Sequence, residues 1–163
     1  MFKKHTHCSW CGQAFAEAQT WPRTCLHCQN ITFLNPIPVA VVLVPVDEGL
    51  LLIRRAIDPA RGKLALPGGY INLGESWQEA GAREVFEETG LIIEPEEIQE
   101  FGVRSAPDGT ILIFGLAQPR ASAGLPPFTP TPETTERLVG KPLPDELAFP
   151  LHAEAMAAFF QQA

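Results

Sequence analysis

Two groups of residues in this chain have the types and spacing for chemistry. The first is the run Arg83-Glu84-Val85-Phe86-Glu87-Glu88-Thr89-Gly90, with three glutamates inside five positions. Ser76 followed by Glu79 is a capping box, and Gly90 suits the left-handed position past a last turn, so a helix is predicted over 77–89. At roughly 100° per residue, Glu84, Glu87 and Glu88 fall within an arc of about 100°. Trp77 and Ala80 project into the same arc, which aims it at protein rather than open water. Like charges at this spacing destabilise a helix. The one nearby cation, Arg83, is expected to pair with Glu79 four positions back. A solvated acidic face is the ordinary alternative, and the shared tryptophan argues against it. A hard divalent cation resolves the repulsion, because carboxylate oxygens are its preferred ligands and Mg²⁺ commonly shares its sites with phosphates.

Upstream, "LPGGYINLGE" places Gly68 and Gly69 just before the helix entry. Glycine allows close backbone approach or a positive φ, and a bare carbonyl there is a further oxygen ligand. The second chemical group is "CSWC" and "CLHC", with Cys8, Cys11, Cys25 and Cys28 as two C-x₂-C pairs. Two such knuckles bring four thiolates into a tetrahedron, the pattern of a zinc ribbon. Gly12 suits the turn after the first pair, and Asn30 is the candidate after the second. Two disulfides and a redox dithiol are the rivals. No secretory signal precedes the pairs, which disfavours disulfides. His5, His7 and His27 lie nearby and are expected to be exposed rather than to replace a cysteine. Four thiolates leave no open position, so the zinc is structural, and it would hold together a segment too small to bury a core of its own.

The elements that must position these groups read clearly in places. "IPVAVVLVPV" reads as a buried strand, "DEG" at 47–49 as a turn, and "LLLIRRAI" as a second strand. "IQEFGVRS" and "TILIFGLA" read as strands around the turn "PDG". The proline-rich "ASAGLPPFTPTPETTE" reads as a long loop. "LHAEAMAAFFQQA" reads as a closing helix with Leu151, Met156, Phe159 and Phe160 as core contacts. The expected architecture is an α/β or α+β body over residues 37–163 behind a cysteine module over residues 1–36. The 163 residues carry a formal charge of −7. Lys3, Lys4 and Arg23 against Glu17 leave the first 36 residues at +2, and nine basic against eighteen acidic residues leave the rest at −9. Such a body is a poor general binder of nucleic-acid backbone, so a phosphate substrate calls for a bound cation. No apolar run reaches the ~20 residues of a membrane span, and a soluble cytoplasmic protein is expected. Trp10 and Trp21 are expected in the ribbon core, though exposed they would stack on bases. Arg54 and Arg55 end a strand within reach of phosphate. Tyr70 is a candidate to stack on a base, and His152 is expected to be structural.

Gly69, five residues, Glu75, seven residues, Arg83-Glu84-Val85, one residue, Glu87-Glu88, one residue, Gly90-Leu91 resembles a complete Nudix box. The resemblance covers about residues 37–163. It implies a Nudix-type α/β/α sandwich with a mixed sheet. It also implies Mg²⁺- or Mn²⁺-dependent hydrolysis of a nucleoside diphosphate linked to another moiety, such as ADP-ribose or FAD. Glu84, Glu87 and Glu88 resemble the metal-binding and catalytic carboxylates, with the Gly68 carbonyl as a further ligand. Gly69, Glu75, Arg83 and Gly90 match positions that build the motif. Glu84 is the first candidate for general base and Glu136 the second, while Glu133 and Glu136 are the candidates for an extra loop carboxylate. The ribbon in front, with "WPRTCLHC", is similar to the order in bacterial NADH pyrophosphatases of this family. Their Ser-Gln-Pro-Trp signature is replaced here by "RSAPDGT" (residues 104–110), so an NAD(H) or NAD-capped RNA substrate is the alternative. A non-catalytic nucleotide sensor, or nucleic-acid binding through the ribbon, is the reading of a different class. A homodimer follows by analogy with the fold only.

Overall fold

A computed structural model describes residues 4–16 and 19–162. Lys3 and Glu17, counted above in the amino-terminal charge, lie outside the described residues, as does Ala163 of the closing segment. The chain divides into two compact units, Met1–Pro36 and Ile37–Ala163.

The first unit is built from one turn used twice. Cys8 N–H donates to the Gln13 carbonyl at 2.8 Å and Gly12 N–H to the Cys8 carbonyl at 2.9 Å; Cys25 N–H donates to Asn30 and Gln29 N–H to Cys25, both at 2.9 Å. The residue after the second cysteine of each pair is left-handed: Gly12 at φ 73° and Gln29 at φ 60°. Gln29, and not Asn30, therefore makes the second knuckle turn. Asn30 instead directs its amide to the Cys28 sulfur at 3.5 Å. Strands β1 (Arg23–Thr24) and β2 (Ile31–Thr32) pair antiparallel beside the second knuckle. The Trp21 ring stands nearly perpendicular to those of His5 and Phe15, with the Arg23 guanidinium 4.4 Å over its face. Trp10 is not core: it is 69% exposed, and its indole N–H donates to the Ile31 carbonyl at 3.0 Å.

In the second unit the hydrophobic run does not make a single strand. It breaks at Val44 into β3 (Ile37–Leu43) and β4 (Pro45–Val46), which join different sheets. The turn that follows has Asp47 at φ 48° and leads into β5 (Gly49–Arg55). After β6 (Leu64–Ala65) and β7 (Gly68–Tyr70) comes α1 (Trp77–Thr89), then β8 (Gln99–Ser105), β9 (Thr110–Leu116), β10 (Thr134–Gly140) and α2 (Pro150–Gln162). One sheet runs β7-β3-β9-β8, with β3 parallel to β9 and the outer pairs antiparallel. The other runs β10-β5-β4, with β6 also on β5. Strand β10 begins inside the stretch read from sequence as loop: the prolines end at Pro132, and Thr134 already pairs with Arg55.

Why the central strands are apolar on both faces is visible in their alternation. Val41 and Leu43 of β3, with Leu50 and Leu52 of β5, pack in one cluster with Ala155 and Met156 of α2. Leu151, Phe159 and Phe160 are partly buried against that cluster. Val42, Val44 and Leu51 face the other way, into a cluster with Ala82 and Val85 of α1 and with Trp77 against it. Sheets lie between two helices, the α/β/α sandwich, and two-sided burial leaves no polar alternation for the strands to show. Arg137 of β10 ties the long loop to the end of α1, donating to the Thr89 and Pro126 carbonyls at 2.6 Å each. Among the described residues no helix is long and apolar enough to cross a membrane.

Candidate active site

Helix α1 is set by its caps. Ser76 accepts from the Glu79 N–H, and Glu79 accepts from the Ser76 N–H, completing the capping box; Gly90 closes the other end at φ 74°. Glu79 is thus spent on the cap and is not the partner of Arg83. Arg83 instead gathers the motif. It donates to both oxygens of Glu75 at 2.7 and 3.1 Å, to Glu84 at 2.7 Å, to Glu87 at 3.1 Å and to the Tyr70 carbonyl at 3.0 Å. Glu75 also accepts from the Asn72 N–H at 2.9 Å. With Arg83 and that amide on it, its carboxyl lies at about 2. Glu75 and Arg83 therefore join the helix to the turn that precedes it.

The glycines have a different reason from positive φ, which neither shows. A Cβ on Gly68 would stand 2.4 Å from the Ala40 carbonyl oxygen, and one on Gly69 would stand 2.3 Å from Glu84 Oε1. The β3 backbone leaves no room for a side chain at Gly68, and one at Gly69 would have to push the Glu84 carboxylate aside. Gly68 also donates its N–H to Glu88 Oε2 at 2.9 Å. Gly68 also pairs with Val41 in the β3–β7 ladder.

Glu84, Glu87 and Glu88 line one cleft of about 210 Å³ together with Thr131, Pro132 and Glu133. Glu88 is 5% exposed. Burial pushes its carboxyl up to about 8, against the pull of the Gly68 N–H, with Glu84 and Glu133 adding repulsion. Burial likewise raises Glu84, opposed by Arg83. Of the two loop carboxylates, Glu133 is the one in the cleft. Glu136 lies opposite Arg54 in the β5–β10 ladder and pairs with it at 2.7 Å, both side chains substantially exposed. Sequence alone could not separate them, because Glu133 precedes the strand and Glu136 lies within it. Arg55 donates to the Pro59 carbonyl at 2.9 Å and stacks 5.0 Å from the Phe149 ring centroid. Tyr70 is exposed.

In the first unit the four cysteine sulfurs lie within 4.8 Å of one another. Cys8 and Cys28 sulfurs are 3.7 Å apart and those of Cys11 and Cys25 3.6 Å. A tetrahedron with Zn–S bonds of about 2.3 Å has edges of about 3.8 Å, so the thiols already fit a zinc ion. Among the described residues this is the one group of three or more Cys, His, Asp or Glu whose ligand atoms gather so closely. His5, His7 and His27 stand outside it. In the cleft Glu84 and Glu87 share one Arg83 nitrogen, Nη1, while Glu88 turns to the Gly68 N–H.

A family model described as NUDIX domain matches residues 35–158. The chain belongs to the Nudix family. A Nudix hydrolase from Nitrosomonas europaea has a similar structure, with a TM-score of 0.77 at 27% identity over 96% of this chain and 91% of that one. Among curated proteins, the ADP-ribose pyrophosphatase of Methanocaldococcus jannaschii is 42% identical over 76 residues, 47% of this chain and 44% of that protein. The NAD-capped RNA hydrolase NudC of Edwardsiella ictaluri is 34% identical over 91 residues, 55% of this chain and 35% of that protein. The Nudix chain thus spans less than half the length of these curated relatives.

Proposed function

We propose that this chain hydrolyses the diphosphate bridge of a nucleoside diphosphate joined to a second moiety, with ADP-ribose the leading substrate. The observation that carries the reading is the cleft itself. It brings three helix glutamates and Glu133 to one wall, with one of them buried and pushed to about 8. Arg83 pairs with only two of them, Glu84 and Glu87, and like charges this close call for a further cation. Their oxygens fit Mg²⁺ or Mn²⁺, and Glu84, Glu87 and Glu88 are the residues that would hold it. When bound, the metal supplies charge neutralisation for the two phosphates and an acidic water.

The chain's own groups do the rest. Arg83 holds Glu84 and Glu87 in place, and Glu75 with the Asn72 N–H holds Arg83. Gly68 fixes the direction of Glu88. Glu133 takes the proton from the attacking water, in place of Glu84, the first candidate, whose carboxylate accepts from Arg83, and of Glu136, whose carboxylate is engaged by Arg54. The water's oxygen bonds to one phosphorus as the bridging oxygen leaves with the other phosphate. ADP-ribose would give AMP and ribose 5-phosphate. The four thiols hold a structural zinc.

The similarity to NudC supports a second reading, hydrolysis of NAD(H) or of an NAD cap on RNA. The third reading, a nucleotide sensor, predicts binding without turnover. The test is a panel of ADP-ribose, FAD, NADH, NAD-capped RNA and nucleoside triphosphates, each with Mg²⁺ or Mn²⁺, scored by product identity. AMP from ADP-ribose at the highest kcat/KM supports the leading reading. Binding with no product from any of them defeats it.

A further inference from the structure

His152 is buried, titratable and unused by the chemistry above. It sits in the first turns of α2, and its ring is held by two others: edge-on to Phe114 at 5.9 Å and tilted against Phe149 at 5.0 Å. Its Nδ1 accepts the Leu66 N–H at 3.2 Å. Leu66 is buried and lies in the gap between β6 and β7, outside both strands. Its amide therefore needs an acceptor from elsewhere. Two residues further on, Gly68 donates to Glu88 and Gly69 lies against Glu84. The segment is fixed at its other points as well: the Val42 N–H donates to the Pro67 carbonyl at 2.9 Å and the Ala148 N–H to the Leu64 carbonyl at 2.7 Å.

We propose that His152 is a positioning residue for the cleft, its neutral Nδ1 holding the Leu66 amide so that Gly68 and Gly69 meet Glu88 and Glu84 in register. The inference rests on the reading of the cleft as a hydrolytic site. An acceptor at Nδ1 puts the ring proton on Nε2, so the ring must be neutral. Burial, with Arg55 nearby, keeps it so down to about 3, and the acceptor persists across the working pH range. A purely apolar side chain in this place would fill the space between Phe114 and Phe149 yet leave the Leu66 N–H buried with no partner. Residues that orient ligating carboxylates from behind commonly set activity over about 10–100-fold.

The experiment compares His152→Leu, His152→Asn and His152→Gln in the full zinc-loaded chain, with Met156→Ala as a packing control on the same helix. Asn places an oxygen near the Nδ1 position, and Gln places it further out. Two readouts are taken: hydrogen exchange of the Leu66, Gly68 and Gly69 amides without added Mg²⁺ or Mn²⁺, and kcat and KM for ADP-ribose at saturating Mn²⁺. His152→Leu is expected to speed exchange of these amides at least tenfold and to lower kcat about 10–100-fold with KM little changed. His152→Asn should recover both to within about threefold. Met156→Ala should lower the melting temperature and leave kcat of the folded protein alone. Wild-type exchange and kcat in His152→Leu, or equal losses in the Leu and Asn variants, would overturn the proposal. Should the Leu variant not fold, equal behaviour of Asn and Gln does the same. If the wild-type chain turns over no nucleotide, the functional reading has failed, and the exchange data alone decide the role of His152.

Discussion

The replacement Glu88→Gln separates the two effects that one carboxyl has in this site. In the folded chain without Mg²⁺ or Mn²⁺, burial raises Glu88 from its ordinary 4.5 to about 8. Between those values the folded state keeps a proton that the unfolded state has lost. Stability therefore falls as pH rises, by about 1.4 kcal/mol per pH unit within the window. From pH 6 to pH 9 the wild type should lose about 2.6 kcal/mol through this group. Glutamine has no proton to lose, and its amide oxygen can still accept the Gly68 N–H. Relative to wild type, Glu88→Gln should thus gain about 2.6 kcal/mol over that pH range, some 5–10 °C in melting temperature for a chain of this size. The contribution of His152 is common to both proteins and cancels in the difference. The assay is thermal and urea unfolding at pH 6, 7, 8 and 9 with zinc retained and no other divalent ion. Adding Mn²⁺ and a non-hydrolysable ADP-ribose analogue should reverse the order, stabilising wild type alone, and the variant should show no turnover. Parallel stability curves for the two proteins from pH 6 to 9 would refute the argument that burial is what raises this carboxyl.

Three further outcomes follow from the geometry. Gly69→Ala crowds the Glu84 carboxylate and turns it aside, so kcat should fall about 100-fold with the circular dichroism spectrum kept; a wild-type kcat would show that Glu84 need not sit there. Glu133→Gln should cut kcat by about 100-fold, whereas Glu136→Gln, which only breaks the exposed pair with Arg54, should change kcat less than threefold and stability by less than about 1 kcal/mol; the opposite ranking would move the proton acceptor to Glu136. Cys11→Ser should abolish bound zinc, measured by mass spectrometry under native conditions, and unfold the first unit, while the 37–163 unit, which has its own two cores, keeps its melting transition.

Much of the site was legible because it depends on local rules. The capping box at Ser76 and Glu79 and the left-handed Gly90 bounded α1 to the residue. The paired C-x₂-C knuckles brought four sulfurs together as their spacing implies. What sequence missed depends on chain segments far apart. Arg83 was expected on Glu79 because helical spacing allows it, yet Glu75 from the preceding turn takes its Nε. Gly68 and Gly69 read as sites of close backbone approach or positive φ, and only the structure decides between them: the approach is to the β3 backbone and to the Glu84 carboxylate. The run from Ile37 to Val46 looks like one strand because it is apolar throughout; the switch between sheets falls at Val44, directly before Pro45, which has no N–H for a ladder. Thr134–Gly140 lay hidden behind a proline-rich loop, and without that strand Glu133 and Glu136 could not be told apart. His152 gave only a composition signal, a lone histidine on an apolar helix, whose meaning lies in an amide 86 positions away.

The most direct measurement of the central claim is Mn²⁺ electron paramagnetic resonance on the zinc-loaded chain with a methylene-bridged ADP-ribose analogue, for wild type and Glu84→Gln. Mn²⁺ should bind wild type only when the analogue is present, with phosphate coupling in the spectrum, and that binding should weaken at least tenfold in the variant. Equal Mn²⁺ binding by both proteins, or none by wild type with the analogue bound, would contradict the claim.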